Sequence, residues 1–443
     1  MTTVHLPSQL RDLAGGAAVA LDGSDVRQII RDLERRHPST AGWVTDELGR
    51  IRPHIKIFVN GDEADLDDPV VDVDEIRILP AISGGADQLE LLVGTRKGLF
   101  VLRGDPNDGF DIAGRAFEGQ TVEYAVGVPA SNNYYASVTH ANYGPRVYVA
   151  QDPAGDWEQT EGPAFPTDTG AAVQRVWTIQ PGEEEGVVWA GVAPAALFGS
   201  QDGGRSWALN RSLWEVPGRE DWEGGAGGLC LHSICLWPDD PLRMAVGISA
   251  AGVWVTEDGG DTWEWGVDGL VPRYVPEEAR PHTTSFCVHK LQRSPVLPET
   301  IYMQFHGGVY RSDDAGRTWT DIGSNSGLVS DFGFPIVVDP RDPRHAFVIP
   351  LHSDGDRVTP GGQVRVFETN DGGKSWDGLT KGLPQRDSYL TVLRQAFCHD
   401  GKNPLGLFFG ATSGDLFGSA DGGATWANIA TRLPPVLSVR ATI

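Results

Sequence analysis

Five copies of one eight-residue pattern, set at nearly constant intervals, constrain this chain more than anything else in it. They are Ser200-x-Asp202-x-Gly204-x-Ser206-Trp207, Thr256-x-Asp258-x-Gly260-x-Thr262-Trp263, Ser312-x-Asp314-x-Gly316-x-Thr318-Trp319, Thr369-x-Asp371-x-Gly373-x-Ser375-Trp376 and Ser419-x-Asp421-x-Gly423-x-Thr425-Trp426. Their first residues lie 56, 56, 57 and 50 positions apart. A weakened copy keeps Asp152 and Trp157, and Gly98-Leu99-Phe100 repeats the apolar strand that precedes each box, giving seven repeats. Such a period means that one supersecondary unit is built repeatedly, each burying a face against the next. Within the box, the aspartate suits the backbone N–H groups of a tight hairpin turn, glycine takes a positive φ, and tryptophan packs into the unit. Asp202, Asp258, Asp314, Asp371 and Asp421 therefore read as structural residues.

The pattern resembles the Asp-box, or BNR repeat, of β-propellers such as sialidases, sortilin and the xyloglucanases. Over residues 86–443 the resemblance implies a seven-bladed propeller, so the chain is mainly β. The last apolar strand, Val436 to Thr442, has no partner in its own repeat, while the first repeat lacks its innermost strand. Pairing the two ends closes the ring and leaves no free edge.

Residues 1–85 follow another rule. Val4 to Leu6 and Ala17 to Leu21 read as strands around a Gly15-Gly16 turn, and Ser24 caps a helix from about Asp25 to Arg36 that Pro38 stops. Val26, Ile29, Ile30 and Leu33 make the stripe that such a helix buries on a sheet. Ile55 to Val59 runs into the Asn60-Gly61 turn, and Glu75 to Leu79 runs into Pro80. The order strand, strand, helix, strand, strand is that of a β-grasp domain.

Phe58-Val59-Asn60-Gly61, Asp74-Glu75-Ile76 and Leu79-Pro80-Ala81-Ile82-Ser83-Gly84-Gly85 together resemble the molybdopterin-synthase small subunit and thiamine sulfur-carrier (MoaD/ThiS) family. The resemblance implies a ubiquitin-like sulfur carrier whose Gly84-Gly85 tail is adenylated by a MoeB/ThiF-like activating enzyme and then thiocarboxylated. Glycine suits a tail that threads a narrow channel, where a Cβ would clash. Those carriers end at the second glycine, whereas Ala86-Asp87-Gln88 continues here. An amide cannot be adenylated, so the resemblance implies trimming after Gly85 by a JAMM-type peptidase. The alternative is that Ser83-Gly84-Gly85 serves only as a tether.

A formal net charge of −24 repels phosphate backbones and anionic lipid, so neither nucleic acid nor a membrane surface is an expected partner. No leader pattern and no long apolar run is present, and a cytoplasmic location is expected. Cys230, Cys235, Cys287 and Cys398 are too sparse for a disulfide framework and read as buried thiols. No Walker, dinucleotide or GxSxG motif occurs, so no cofactor is expected in this chain and ATP belongs to the activating partner.

Aligned on their boxes, the repeats put Arg96, His140, His306 and His352 at successive loops between second and third strands. They put Glu123, Arg175, His232 and Arg394 early in innermost strands, with Arg440 alongside. Together these residues would line one channel mouth as a cationic funnel suited to a carboxylate, a phosphate or a sugar acid. Several neutral histidines could instead hold a divalent metal, although no HExxH spacing supports one. The loop Arg211 to Gly228, with Trp214, Trp222, Glu215, Glu220, Asp221 and Glu223, could wall the site or stack on a sugar.

The leading functional reading is a sulfur-carrier precursor with the propeller as a docking module. One alternative is a glycosidase-like hydrolase or lyase acting at the channel mouth; the other is a non-catalytic assembly scaffold. Glycosidases usually need two carboxyl groups across the scissile bond, and no such pair is identifiable. The catalytic residues therefore stay unassigned. The N-terminal Arg-Ile-Pro signature of sialidases is absent, and seven repeats differ from their six blades.

Overall fold

The computed structural model describes every residue except 1, 7–9, 11, 12, 17, 46–50, 52–54, 61, 72, 73, 81–88, 107, 108, 129, 130, 226, 238, 239 and 443. The chain divides into two units, Met1–Gln88 and Leu89–Ile443.

In the first unit, β1 (Thr2–His5), β2 (Ala18–Leu21), β3 (Ile55–Val59), β4 (Asp62–Glu63) and β5 (Glu75–Pro80) form one sheet in the order β2-β1-β5-β3-β4. β1 and β5 run parallel at its centre, and the other pairs are antiparallel. The helix α1 (Val26–Arg36) buries Val26, Ile29, Ile30 and Leu33 with Val4, Ile57, Ile76 and Ile78, which makes this a β-grasp domain. Asp25 rather than Ser24 is the N-cap. Its backbone is extended, its carboxylate accepts from Gln28 N at 2.8 Å, and the Gln28 amide reaches back to Ser24 N. The cap thus falls one residue later than the sequence predicts, because Gln28 sits three residues after Asp25 and offers its N–H to that carboxylate.

The second unit is a β-propeller with, among the described residues, seven four-stranded antiparallel sheets. Blade one consists of Val436–Ala441, Leu89–Thr95, Gly98–Asp105 and Gly109–Ala116, from the axis outward. Its innermost strand comes from the far end of the sequence, with Val436 opposite Thr95 and Arg440 opposite Leu92. The strand stops at Ala441, one residue earlier than predicted, and Thr442 N then donates to Glu90 O. The innermost strands of adjacent blades touch one another all the way round.

Each box is a closed hydrogen-bonded turn. In the second, Asp258 accepts from the Thr262 N–H at 2.9 Å and also from its hydroxyl, while Gly260, at φ 93°, donates to Thr256 Oγ1. These bonds hold the Asp258 carboxyl at about 2. From the second box on the tryptophan reaches beyond its own blade, whereas the Trp207 indole bonds to Gly204 O of its own box. Trp319 donates its backbone N–H to Asp268 O at 2.8 Å and its indole N–H to Gly266 O at 3.1 Å. Trp376 makes the same pair of bonds to Ser326 and Ile322. The box therefore clamps its blade to the segment leaving the preceding one.

A second regularity positions the site. Pairing between the two innermost strands skips one residue at the same place in five blades: Glu123, Trp177, His232, His289 and Leu437. Such a bulge leaves one residue outside the ladder and re-aims its side chain.

Candidate functional site

Four of the five bulged residues, Glu123, Trp177, His289 and Leu437, line a cavity of about 520 Å³ at the propeller axis. Arg96, Arg175, Arg357 and Arg394 enter it with the carboxylates Glu123, Glu223 and Asp354. Arg175 Nε stands 3.1 Å from Glu123 Oε1, and Thr139 Oγ1 also donates to that oxygen. Burial pushes the Glu123 carboxyl above its ordinary 4.5, against the pull of the Arg175 guanidinium. Arg394 is buried and donates to Ser249 Oγ at 3.0 Å and toward Cys230 Sγ, with no ion pair among the described residues. Its guanidinium lies 5.1 Å from the Trp177 ring centroid, and that of Arg175 lies 4.9 Å away. The Trp177 indole N–H is buried without an acceptor among the described residues. A cation without a carboxylate partner beside an unsatisfied N–H is what an anionic ligand requires.

Another side of the cavity is aromatic and imidazole. His289 packs against Phe334 and Phe332, with His306 beside it at 5.1 Å between ring centroids. Tyr274 packs on His306 at 4.0 Å between ring centroids. Burial drives His289 well below its ordinary 6.5, lowers His306 and raises the Cys287 thiol. Cys287, His289 and His306 each bring a donor atom within 4.8 Å of the others.

Arg96, Glu123, Arg175, His306 and Arg394 thus share one cavity; the other residues assigned to the mouth lie elsewhere. His140 is half-buried at its hairpin, where Nδ1 accepts from the backbone N–H groups of Asn142 and Tyr143. His352 is exposed, and its N–H donates to Val358 O. His232 is fully buried, with Nε2 2.9 Å from Val288 O and Nδ1 3.0 Å from Ser233 Oγ, because its bulge faces the neighbouring blade. Arg440 lies near the end of its strand and so at the opposite end of the channel. It donates to Tyr124 Oη at 2.9 Å and Gln395 O at 2.9 Å, and lines a second cavity of about 350 Å³. Gln395 divides the two cavities by also accepting from Lys290 Nζ at 2.7 Å and donating to His232 O at 2.7 Å. Gly84 and Gly85 lie outside the described residues.

Glu223 and the glycines after it wall the cavity, as the loop reading anticipates, but the tryptophans serve a different purpose. Trp214 and Trp222 flank the Arg219 guanidinium at 4.4 and 4.7 Å. Sequence reasoning missed Trp177, Cys287, His289, Phe334 and Arg357. The signal for His289 was its place one residue into an innermost strand, the same as that of His232.

Residues 4–85 match the model of the ThiS family. The first unit is a ThiS-like, ubiquitin-like domain. Over 19% of this chain and 100% of the other, this ThiS-like part is 33% identical to a chain of the Amycolatopsis orientalis BexX/CysO complex, at a TM-score of 0.18. The propeller fused to it resembles GH74 glycoside hydrolase propellers. An oligoxyloglucan-reducing end-specific xyloglucanase of Emericella nidulans is 27% identical over 223 residues, 44% of this chain and 26% of that protein. The chain therefore spans about a quarter of that relative. A crystal structure of an ancestral GH74 enzyme is 17% identical, covering 78% of this chain and 40% of its own, at a TM-score of 0.49. Among the described residues, no helix is long and apolar enough to cross a membrane.

Proposed function

We propose that the chain is the precursor of a sulfur carrier. The observation that carries this reading is where the ThiS-family match stops: it runs from residue 4 to residue 85, ending on the second glycine of Ser83-Gly84-Gly85. Hydrolysis of the Gly85–Ala86 peptide by a JAMM-type peptidase frees a carboxylate. A MoeB/ThiF-like enzyme then joins that carboxylate to AMP from ATP with release of pyrophosphate. Hydrosulfide displaces AMP from the acyl carbon, and the tail leaves as a thiocarboxylate. The propeller holds the precursor for its partners. Sequencing the N-terminus of the large fragment recovered from native cells tests the cut: Ala86 as its first residue supports it, and a start at any other residue contradicts it.

A second reading is favoured by the axial cavity's Arg394, which has no carboxylate partner among the described residues, and by the orphan Trp177 N–H there. Here the propeller binds, and as a hydrolase or lyase transforms, a small anionic or sugar-acid ligand. Glu123, with its carboxyl raised by burial, is the group suited to proton donation. Calorimetry of the full chain with a hexuronic acid and with inorganic phosphate tests it; heat that saturates at one site per chain supports it, and none with either probe opposes it.

A further inference from the structure

Cys287 and His289 flank Val288 at the start of the innermost strand of blade five, a spacing that puts both side chains on one face of extended backbone. The bulge at His289 turns that residue toward the axial cavity. His306 arrives from the next hairpin tip, between Phe305 and Gly307, and all three residues line the cavity. Their donor atoms, one thiol sulfur and two ring nitrogens, lie within 4.8 Å of one another. Ligands around one tetrahedral zinc stand roughly 3.3–3.8 Å apart, so small side-chain rotations complete the geometry.

The surroundings prepare the two imidazole donors. His289 Nδ1 stands 2.6 Å from Gly333 O, a contact only an N–H can make, which leaves Nε2 as the lone-pair nitrogen. A backbone carbonyl fixing the far nitrogen of a ring is the support that metal-bound histidines receive. Phe332 and Phe334 pack on the His289 ring and Tyr274 on His306, which restricts both rings. The thiol would lose its proton to solvent as the sulfur–metal bond forms.

We propose that Cys287, His289 and His306 form a three-ligand site for a zinc-class divalent cation, with the fourth position open to the axial cavity. One thiolate and two imidazoles are a donor set that suits zinc better than a hard cation. Three protein ligands with an open position is the arrangement of a reactive rather than a purely structural zinc. Arg394, in the same cavity, would meet an anionic group that takes the fourth position. The proposal is independent of cleavage after Gly85.

The test uses the full chain, stripped with a chelator and titrated with cobalt(II), then with zinc(II) as competitor. One equivalent of cobalt should bind with a thiolate-to-cobalt band in the near ultraviolet and strong visible bands of tetrahedral cobalt, and zinc should erase both. Cys287→Ser should abolish the thiolate band, and Cys287→Ser and His306→Ala should each weaken zinc by more than about tenfold, whereas Cys398→Ser should change nothing. Absence of saturable cobalt or zinc binding by the unsubstituted chain would overturn the proposal without recourse to any variant. So would a thiolate band that survives Cys287→Ser in protein whose thermal unfolding is unchanged.

Discussion

Arg440, in the last strand of the chain, donates from Nε to the Tyr124 hydroxyl at 2.9 Å, with its guanidinium 4.8 Å from that ring's centroid. The contact ties the end of the sequence to blade two and so locks both sides of the closing strand. Nη1 donates to Gln395 O and Val439 O and Nη2 to Gln395 Oε1, so every guanidinium nitrogen is engaged. Replacing it removes several hydrogen bonds at once from the network that joins the closing strand to blades two and seven. Arg440→Met is expected to cost about 3 kcal/mol in urea unfolding, and deletion of residues 436–443 is expected to abolish the cooperative transition of the propeller. Unchanged unfolding of the deletion would contradict closure through this strand.

The boxes set the acid limit of the fold. Asp202 and Asp258 are held at about 2 in the folded chain, chiefly by the hydroxyls of Ser206 and Thr262, against an ordinary value of 3.8. A depressed carboxyl stabilises the fold above 3.8, and that contribution is lost as pH falls from 3.8 toward 2. The propeller's melting temperature should therefore drop across this window. A melting temperature that is flat from pH 5 to pH 2 would show that the box bonds contribute little; both limits are about the range in which carboxylates titrate.

Gly382 has φ 89°, and a Cβ there would lie 1.9 Å from Trp426 O. The same clamp that joins the box tryptophan to the preceding blade leaves no room for a side chain, since Trp426 N donates to Lys381 O at 2.9 Å. Gly382→Ala should destabilise the propeller by about 2–4 kcal/mol, combining strain and overpacking. Gly422→Ala, whose φ is 71° but whose Cβ would meet nothing within 4 Å, should cost distinctly less. Equal losses in the two variants would mean that backbone strain alone is at work.

Arg394 is the buried cavity cation, and it has no acidic partner among the described residues, so it should dominate recognition of anions there. Arg394→Ala should weaken binding of a small carboxylate or phosphate by more than about tenfold, and Arg394→Lys should restore only part of it. Calorimetry on both variants measures this, and affinity unchanged by either substitution would move anion binding away from the axial cavity.

Most of the architecture was legible because it is written in local chemistry. The box residues announce their turn wherever they occur, and the unpaired strand beginning at Val436 announces its need for a partner. The site was only half legible, for a physical reason visible in two histidines. His232 and His289 occupy the same bulged position in successive blades, yet one is locked against Val288 O and the other faces the cavity. That choice depends on the packing of adjacent blades, which no alignment of repeats contains. Arg440 was misplaced because alignment ignores how far along its strand a residue sits: Arg394 precedes its strand, while Arg440 nearly ends its own. Ser24 lost the cap to Asp25 because the partner glutamine is fixed three residues beyond the latter.

The sulfur-carrier account rests on one bond, the peptide between Gly85 and Ala86. Intact mass spectrometry of the protein from its own cells tests it most directly. The account predicts a small fragment ending at Gly85, part of it heavier by the exchange of one oxygen for sulfur. Uncut chain alone, across growth conditions, would contradict it.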